Sequence, residues 1–184
     1  MTTREHVNPD GTRVQVPSTA RIGSGARIGS DASIGSYAGI GSGASIGSGA
    51  RIGSDASIGS YASIGSYASI GNDASIGSDA SIGSYASIGN DARIVAPTDV
   101  VCVEGLFGQS ARCVSIYRTS TGHEVTAGCF TGTLEQMAAN LKDPAGQWPD
   151  VTDEQRAVFV AEYRAIRKLF KLRAARFTPA GDAA

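Results

Sequence analysis

From residue 16 to residue 100 a large aliphatic side chain recurs at every sixth position without a break, as Val16, then Ile22, Ile28 and onward through Ile94 to Val100. An alanine stands two places before each isoleucine, from Ala20 to Ala92. Side chains two apart on an extended strand point to the same side. Each hexad therefore turns one Ile and one Ala inward and the residue between them, a Ser or Arg in most hexads, outward. The glycine that usually follows the Ile is expected to supply the permissive backbone of a sharp corner. A six-residue period suits neither a 3.6-residue helix nor a long flat strand; it suits short strands joined by corners and wound into a stack of rungs.

This spacing resembles that of the hexapeptide-repeat proteins, over roughly residues 14–100. The resemblance implies a left-handed parallel β-helix of triangular section, three hexads to a coil and about five coils, about 24 Å tall at one rung per 4.8 Å. Residues eighteen apart then lie over one another, so Tyr67 is expected to stack on Tyr85. Asp55, Asp73 and Asp91 fall in one column above Tyr37. Three like charges on adjacent rungs are unfavourable. They are best read as solvated corners, with a hard cation such as Ca²⁺ or basic side chains of a neighbouring subunit as the alternatives.

Many members of that family are acyltransferases, which generally use a histidine base at the cleft between subunits. Here the two histidines, His6 and His123, both lie outside the repeat, so no catalytic residue carries over. Ice binding, another use of such prisms, rests on ladders of Thr; the outward ladder here is Ser broken by Arg.

After Pro97 the period stops. The segments 100–106, 111–117 and 124–130 read as strands, and two capping boxes, Thr133 with Gln136 and Thr152 with Gln155, open two helices. Between the helices PAGQWPD reads as a loop anchored by Trp148. The second helix has an apolar stripe of Phe159, Tyr163, Ile166 and Phe170, and a basic C-terminal half. The fold class expected is thus mainly β, a β-helix followed by a small α+β unit of three strands and two helices. The divisions are 1–13 as an N-terminal cap, 14–100 as the repeat, 101–178 as the α+β unit and 179–184 as a tail.

A hairpin centred near Thr121 pairs Tyr117 with Val125, Ser115 with Ala127 and Cys113 with Cys129. An odd count of three cysteines, with Cys102 the third, and no apolar leader point to reduced thiols in a cytoplasm. Zinc is the lesser reading, because no CxxC pair is present. GCFTGTLEQM and the stretch from Gly105 to Ser110 resemble a small domain of bacteriophage and bacterial proteins. That resemblance implies a phage-related setting and brings no activity.

Thr131, Gly132 and Thr133 at a helix start offer N–H groups and hydroxyls for a phosphate or nucleotide, with Arg112, Arg118 and His123 nearby; simple capping is the plainer reading. No cofactor is expected, and no metal beyond the aspartate column. A net charge of −1 gives no general case for nucleic acid, and no apolar run is long enough for a membrane span. The leading expectation is a non-enzymatic homotrimer in which the β-helix presents the C-terminal unit. A binder of a phosphorylated small molecule or signalling nucleotide is second, and a hexapeptide-type acyltransferase third.

Overall fold

A computed structural model describes residues 2–107 and 111–176; the side chains at 97, 105–107, 111 and 112 lie outside that description. The hexads fold as expected into thirteen two-residue strands, β3 (Arg21–Ile22) through β15 (Arg93–Ile94). Every third strand pairs in parallel, so that Ser45 opposes Ser63 and Ser63 opposes Ser81. Three sheets of four, four and five strands form the three walls of a parallel β-solenoid. Its inside is a stack of isoleucines and alanines, nearly all fully buried, with the intervening Ser and Arg exposed.

The coil count is a little over four rather than five. Val16 and Val100, the ends of the hexad series, are used elsewhere. Val16 belongs to an antiparallel hairpin of β1 (Thr3–Val7) and β2 (Arg13–Pro17). Val100 opens β16 (Val100–Phe107), the first strand of an antiparallel sheet. The period therefore overshoots the solenoid by one hexad at each end.

The corner chemistry also differs from expectation. The glycines after each Ile do not hold a positive φ; that conformation falls two places later, at Asp31, Tyr37, Asp55, Tyr61 and their equivalents, with φ of 56–60°, and at Gly25, Gly43 and Gly49. The turn closes when the Ala N–H reaches the Gly carbonyl three residues back, as from Ala50 to Gly47 at 3.2 Å. Its third residue is the one that must be left-handed, as in a type II turn. Tyrosine and aspartate bear that cost, of order 1 kcal/mol each.

The glycine after Ile is required for a different reason: a Cβ on Gly59 would stand 2.4 Å from the Ser78 nitrogen and 2.6 Å from the Gly77 carbonyl carbon of the next coil. The same collision recurs up the column. Around each hexad the backbone bonds run both ways. Gly47 N–H donates to Ile64 O above at 2.7 Å, and Gly49 N–H donates to Ser30 O below at 2.8 Å. One corner column adds a side-chain ladder, in which Asn90 Oδ1 accepts from Asn72 N and Asn72 Oδ1 accepts from Ser54 N, at 2.8 and 2.9 Å. The expected Tyr67–Tyr85 stack is present, with centroids 5.3 Å apart.

Both ends of the ladder are satisfied by side chains. At the bottom the buried Asn8 accepts from Ile28 N at 2.8 Å and donates to Ile28 O at 2.9 Å, as a strand below would. At the top sits a four-stranded meander of β16, β17 (Ala111–Thr119), β18 (Gly122–Ala127) and β19 (Phe130–Gly132). Alternation divides its residues. Cys113, Ser115 and Tyr117 face the solenoid, with Cys113 and Tyr117 joining its core. Val114, Ile116 and Val125 face α1 (Leu134–Asn140) and α3 (Asp153–Ala174), packing with Met137, Ile166 and Phe170. A bond from Thr126 Oγ1 to Ser87 O at 2.6 Å fastens the sheet to the last coil.

Relative to the sequence reading there is thus a fourth strand, at 130–132, and a short third helix, α2 (Pro144–Gln147), within the expected loop. Both capping boxes form, and Trp148 packs against Phe159 and Tyr163. The hairpin register is one residue off the expected one, with Tyr117 opposite Glu124 and Ser115 opposite Thr126. Its two-residue loop, Ser120–Thr121, moves the centre by half a residue. A one-residue slip changes every partner. Cys113 does not meet Cys129 but forms a disulfide with Cys102 on the neighbouring strand, Cα atoms 6.1 Å apart, while Cys129 is free and exposed. The expectation of three reduced thiols is corrected accordingly.

Replacing Gly59 with Ala is expected to cost about 1–3 kcal/mol by forcing the next coil away. Gly39→Ser, at an outward position with nothing within 4 Å, is expected to change stability by less than about 0.5 kcal/mol. Thermal or denaturant melts of the two variants check the contrast.

Candidate functional site

Where the meander lies across the last coils, the hairpin end overhangs the aspartate corner column. The overhang leaves a groove of about 430 Å³ whose floor carries Asp73, Asn90, Asp91 and Arg93 and whose roof carries His123, Glu124, Gly132, Thr133 and Gln136. Residues from the two halves of the sequence reading, the carboxylate column and the phosphate candidate, thus share one groove. Two larger hollows lack this chemistry. One of about 750 Å³ beside the N-terminal hairpin holds Asp10, Asp31, Arg13 and Arg27 but no imidazole or thiol. One of about 570 Å³ between α1 and α3 is lined by Lys142, Arg164, Arg167 and Lys168 without a carboxylate.

His123 is positioned by the hairpin register, opposite Arg118, and its Nε2 is enclosed with no hydrogen-bond partner among the described residues. Its neighbour Glu124 is fixed from below. The Tyr117 hydroxyl donates to Glu124 Oε2, and the pair fits because Gly89 has no side chain: a Cβ there would lie 2.5 Å from the hydroxyl and 2.7 Å from the carboxylate oxygen. Burial pushes the Tyr117 hydroxyl far above its usual range, and the bond to Glu124 pushes it further. The phenol therefore stays protonated and keeps one oxygen of Glu124 in place.

The other sequence candidates divide. Gly132 and Thr133 line the groove, but Thr133 is occupied: its hydroxyl accepts from Gln136 N at 3.2 Å and its N–H donates to Gln136 Oε1 at 2.8 Å. A Cβ on Gly132 would meet the same Gln136 Oε1 at 2.4 Å. Thr131 pairs with Thr126 and faces outward. Arg118 reaches Asp99 at 3.9 Å instead of the groove, while Asp99 accepts from the N–H groups of Val95 and Ala96 where the chain leaves the solenoid, at 2.9 Å each. The side chain of Arg112 lies outside the described residues. Asp55 stands one coil below Asp73 and outside the groove. No group of three or more His, Cys, Asp or Glu close enough to hold a metal ion occurs among the described residues.

Glu124, Arg93 and Asn90 were missed from the sequence. Their only signal was position: Asn90 and Arg93 flank the last corner of the period, and Glu124 precedes a strand alternation that the register slip concealed. At the start of α1 the Glu135 carboxyl is held below the usual carboxylate range, first by its own backbone N–H and the Thr133 hydroxyl, then by His123.

Comparison with known proteins bears on the repeat. Residues 25–60 match the family described as bacterial transferase hexapeptide (six repeats). The repeat region is a hexapeptide-repeat β-helix. Among solved structures, the chain is similar to GDP-perosamine N-acetyl transferase from Caulobacter crescentus, at 20% identity over 45% of this chain and 50% of that one, with a TM-score of 0.33. It is also similar to the acetyltransferase domain of PglB from Neisseria gonorrhoeae, at 18% identity over 44% and 48%, with a TM-score of 0.22. The matched part thus spans about half the length of those structures. No curated protein matches the chain. No helix among the described residues is long and apolar enough to cross a membrane.

A raised tyrosine pKa stabilises the fold below the unfolded value and loses that contribution as pH climbs. Stability is therefore expected to decline above about pH 10. Tyr117→Phe removes part of that decline while lowering stability at neutral pH, and Tyr163, also raised by burial, keeps the remainder. Denaturant melts between pH 7 and 11 read both effects.

Proposed function

We propose that the chain is an acyltransferase of the hexapeptide-repeat kind whose acceptor is a primary amine held in the groove between the last coils and the hairpin. The observation that carries this reading is the placement of His123 in one groove with Asp73, Asp91 and Glu124. The repeat has no histidine of its own, and the C-terminal hairpin brings one to it. The match of residues 25–60 to transferase hexapeptides supports the same reading.

The chemistry follows from the charges. An aliphatic amine arrives as an ammonium, and a groove whose three carboxylates outnumber its one arginine, Arg93, draws it in. It becomes a nucleophile only after losing a proton, and imidazole is the side chain suited to accept one near neutral pH. Glu124, held by Tyr117, is placed to keep the ammonium beside His123. The acyl group comes from a thioester such as an acyl-CoA: the N–C bond forms, the C–S bond breaks, and the electron pair leaves on sulfur. The ammonium proton taken first by His123 passes to solvent, and the second proton, shed by nitrogen as the amide forms, passes through His123 to the departing thiolate. The same three carboxylates disfavour a phosphorylated ligand at this place, and the cap has already used the Thr133 groups that would bind one.

A second reading keeps the protein non-enzymatic, as a homotrimeric body presenting its C-terminal unit. It is favoured by the enclosure of His123 Nε2, which leaves only Nδ1 to serve as base.

Acetyl-CoA with a panel of amino sugars and polyamines, followed by thiol release, separates the two. The first reading expects turnover that falls about 10²–10⁴-fold in His123→Ala without a change in melting temperature. It also expects a raised KM for the amine in Asp91→Asn. Absence of both turnover and a thermal shift with acetyl-CoA, together with a native mass of three chains, would establish the second.

A further inference from the structure

Four cations meet around the hollow of about 570 Å³ between α1 and α3, and no acid lines it with them. Arg164, Arg167 and Lys168 stand three and four residues apart, so α3 presents them on one side. Lys142, just beyond the end of α1, closes the hollow from across the gap. Like charges at such helical spacings repel one another. None of the ion pairs among the described residues includes any of the four. Two acids of the neighbouring segments are committed elsewhere. Asp143 caps α2 by accepting from Gly146 N at 3.1 Å, and Glu135, at the start of α1, feels the charge of Arg167 without lining the hollow.

The helix dipole does not account for this cluster. A cation gains from a helix C-terminus only near the last turn, which in α3 holds Lys171 and Arg173. Arg164, Arg167 and Lys168 precede that turn. After Glu162 every charged residue of α3 is a cation, although the chain as a whole carries a net charge of −1. The positive charge is therefore gathered at this place.

The hollow is also shaped to use it. Arg167 is half-buried, and its Nε donates to Leu134 O at 3.1 Å. That bond occupies one N–H of the guanidinium and sets the plane of the fork, whose remaining donors match the spacing of phosphate oxygens. The buried Leu141 and half-buried Pro144 form an apolar wall that brings no competing side-chain acceptor. The volume falls within the range of small-molecule sites. A single phosphate dianion would balance half of the four cations; two linked phosphates come closer.

We propose that this hollow binds the diphosphate group of a small molecule, with Arg164, Arg167 and Lys168 on one side of it and Lys142 on the other. The proposal rests on neither the groove at His123 nor acyl transfer.

Isothermal titration calorimetry of the full chain in magnesium-free buffer tests it, with inorganic pyrophosphate and ADP as the probes. The two distinguish a free diphosphate from one carried on a nucleoside, and binding of either is the result expected. Arg164→Ala with Lys168→Ala, both at exposed positions, weakens that binding about tenfold or more. Lys142→Ala, across the gap, weakens it as well, and circular dichroism checks that each variant keeps its fold. Lys171→Ala with Arg176→Ala removes the same charge outside the hollow and changes affinity by less than about threefold. His123→Ala leaves it unchanged, so failure of the groove reading and failure of this one are separate results. Heat from neither probe overturns the proposal, as does an equal loss in the two double variants. So does a short DNA duplex that binds and is displaced by neither probe, which would make the basic face a nucleic-acid surface.

Discussion

The solenoid depends on how closely one coil's backbone lies on the next. At the glycines after Ile from Gly23 to Gly77, a single added carbon would stand 2.3–2.5 Å from the backbone that follows one coil up, well inside contact distance. That proximity lets each hexad send hydrogen bonds both to the coil above and to the coil below. Everything else is arranged around it. Ile and Ala fill a cross-section too narrow for two large side chains, and the left-handed corners are imposed on tyrosines and aspartates because the ladder leaves that turn no other geometry. Left-handed backbone at a tyrosine is rare and unfavourable by itself; cooperative stacking on both sides overrides it.

That hierarchy explains what could be read in the sequence. The period, the inward Ile and Ala, the Tyr67–Tyr85 stack and both capping boxes are local or strictly repetitive, and each is visible in the residues themselves. The role of the glycine was legible as a requirement but not as a cause. Sequence shows a glycine after every repeat Ile but Ile94, and only the neighbouring coil shows that the reason is collision and not torsion. The number of coils was obscured at the ends, where Val16 and Val100 keep the spacing while belonging to antiparallel strands. The partner of Cys113 was lost to a half-residue shift in the loop at Ser120–Thr121, a choice set by backbone geometry and not by hydrophobic pattern.

The groove belongs to neither half of the chain alone. Asp73 and Asp91 are ordinary corners of the repeat, and His123 and Glu124 are ordinary members of a hairpin. Their chemistry arises where the sheet crosses the final coil, held by Thr126 on Ser87 and by Tyr117 within the solenoid's core. Sequence could mark His123 as unusual in being one of two histidines, but could not place it over residues some thirty to fifty positions earlier. Tyr117 was read only as a strand residue; its function is to plug the column and to fix Glu124 from beneath.

The two end pieces carry a further consequence for the length of the column. Asn8 supplies to Ile28 what a lower coil would have supplied, and the meander does the like for the upper rim, so neither piece senses how many turns separate them. Partners in a wall stand eighteen residues apart, as Ser45 does from Ser63. Insertion or removal of one such block lengthens or shortens the shaft by one storey and leaves both lids facing as before. A change of six or twelve would instead swing one lid by a third of a revolution relative to the other. The shaft therefore behaves as a ruler with a single unit of measure, and genetic drift in repeat number preserves the groove only in whole turns.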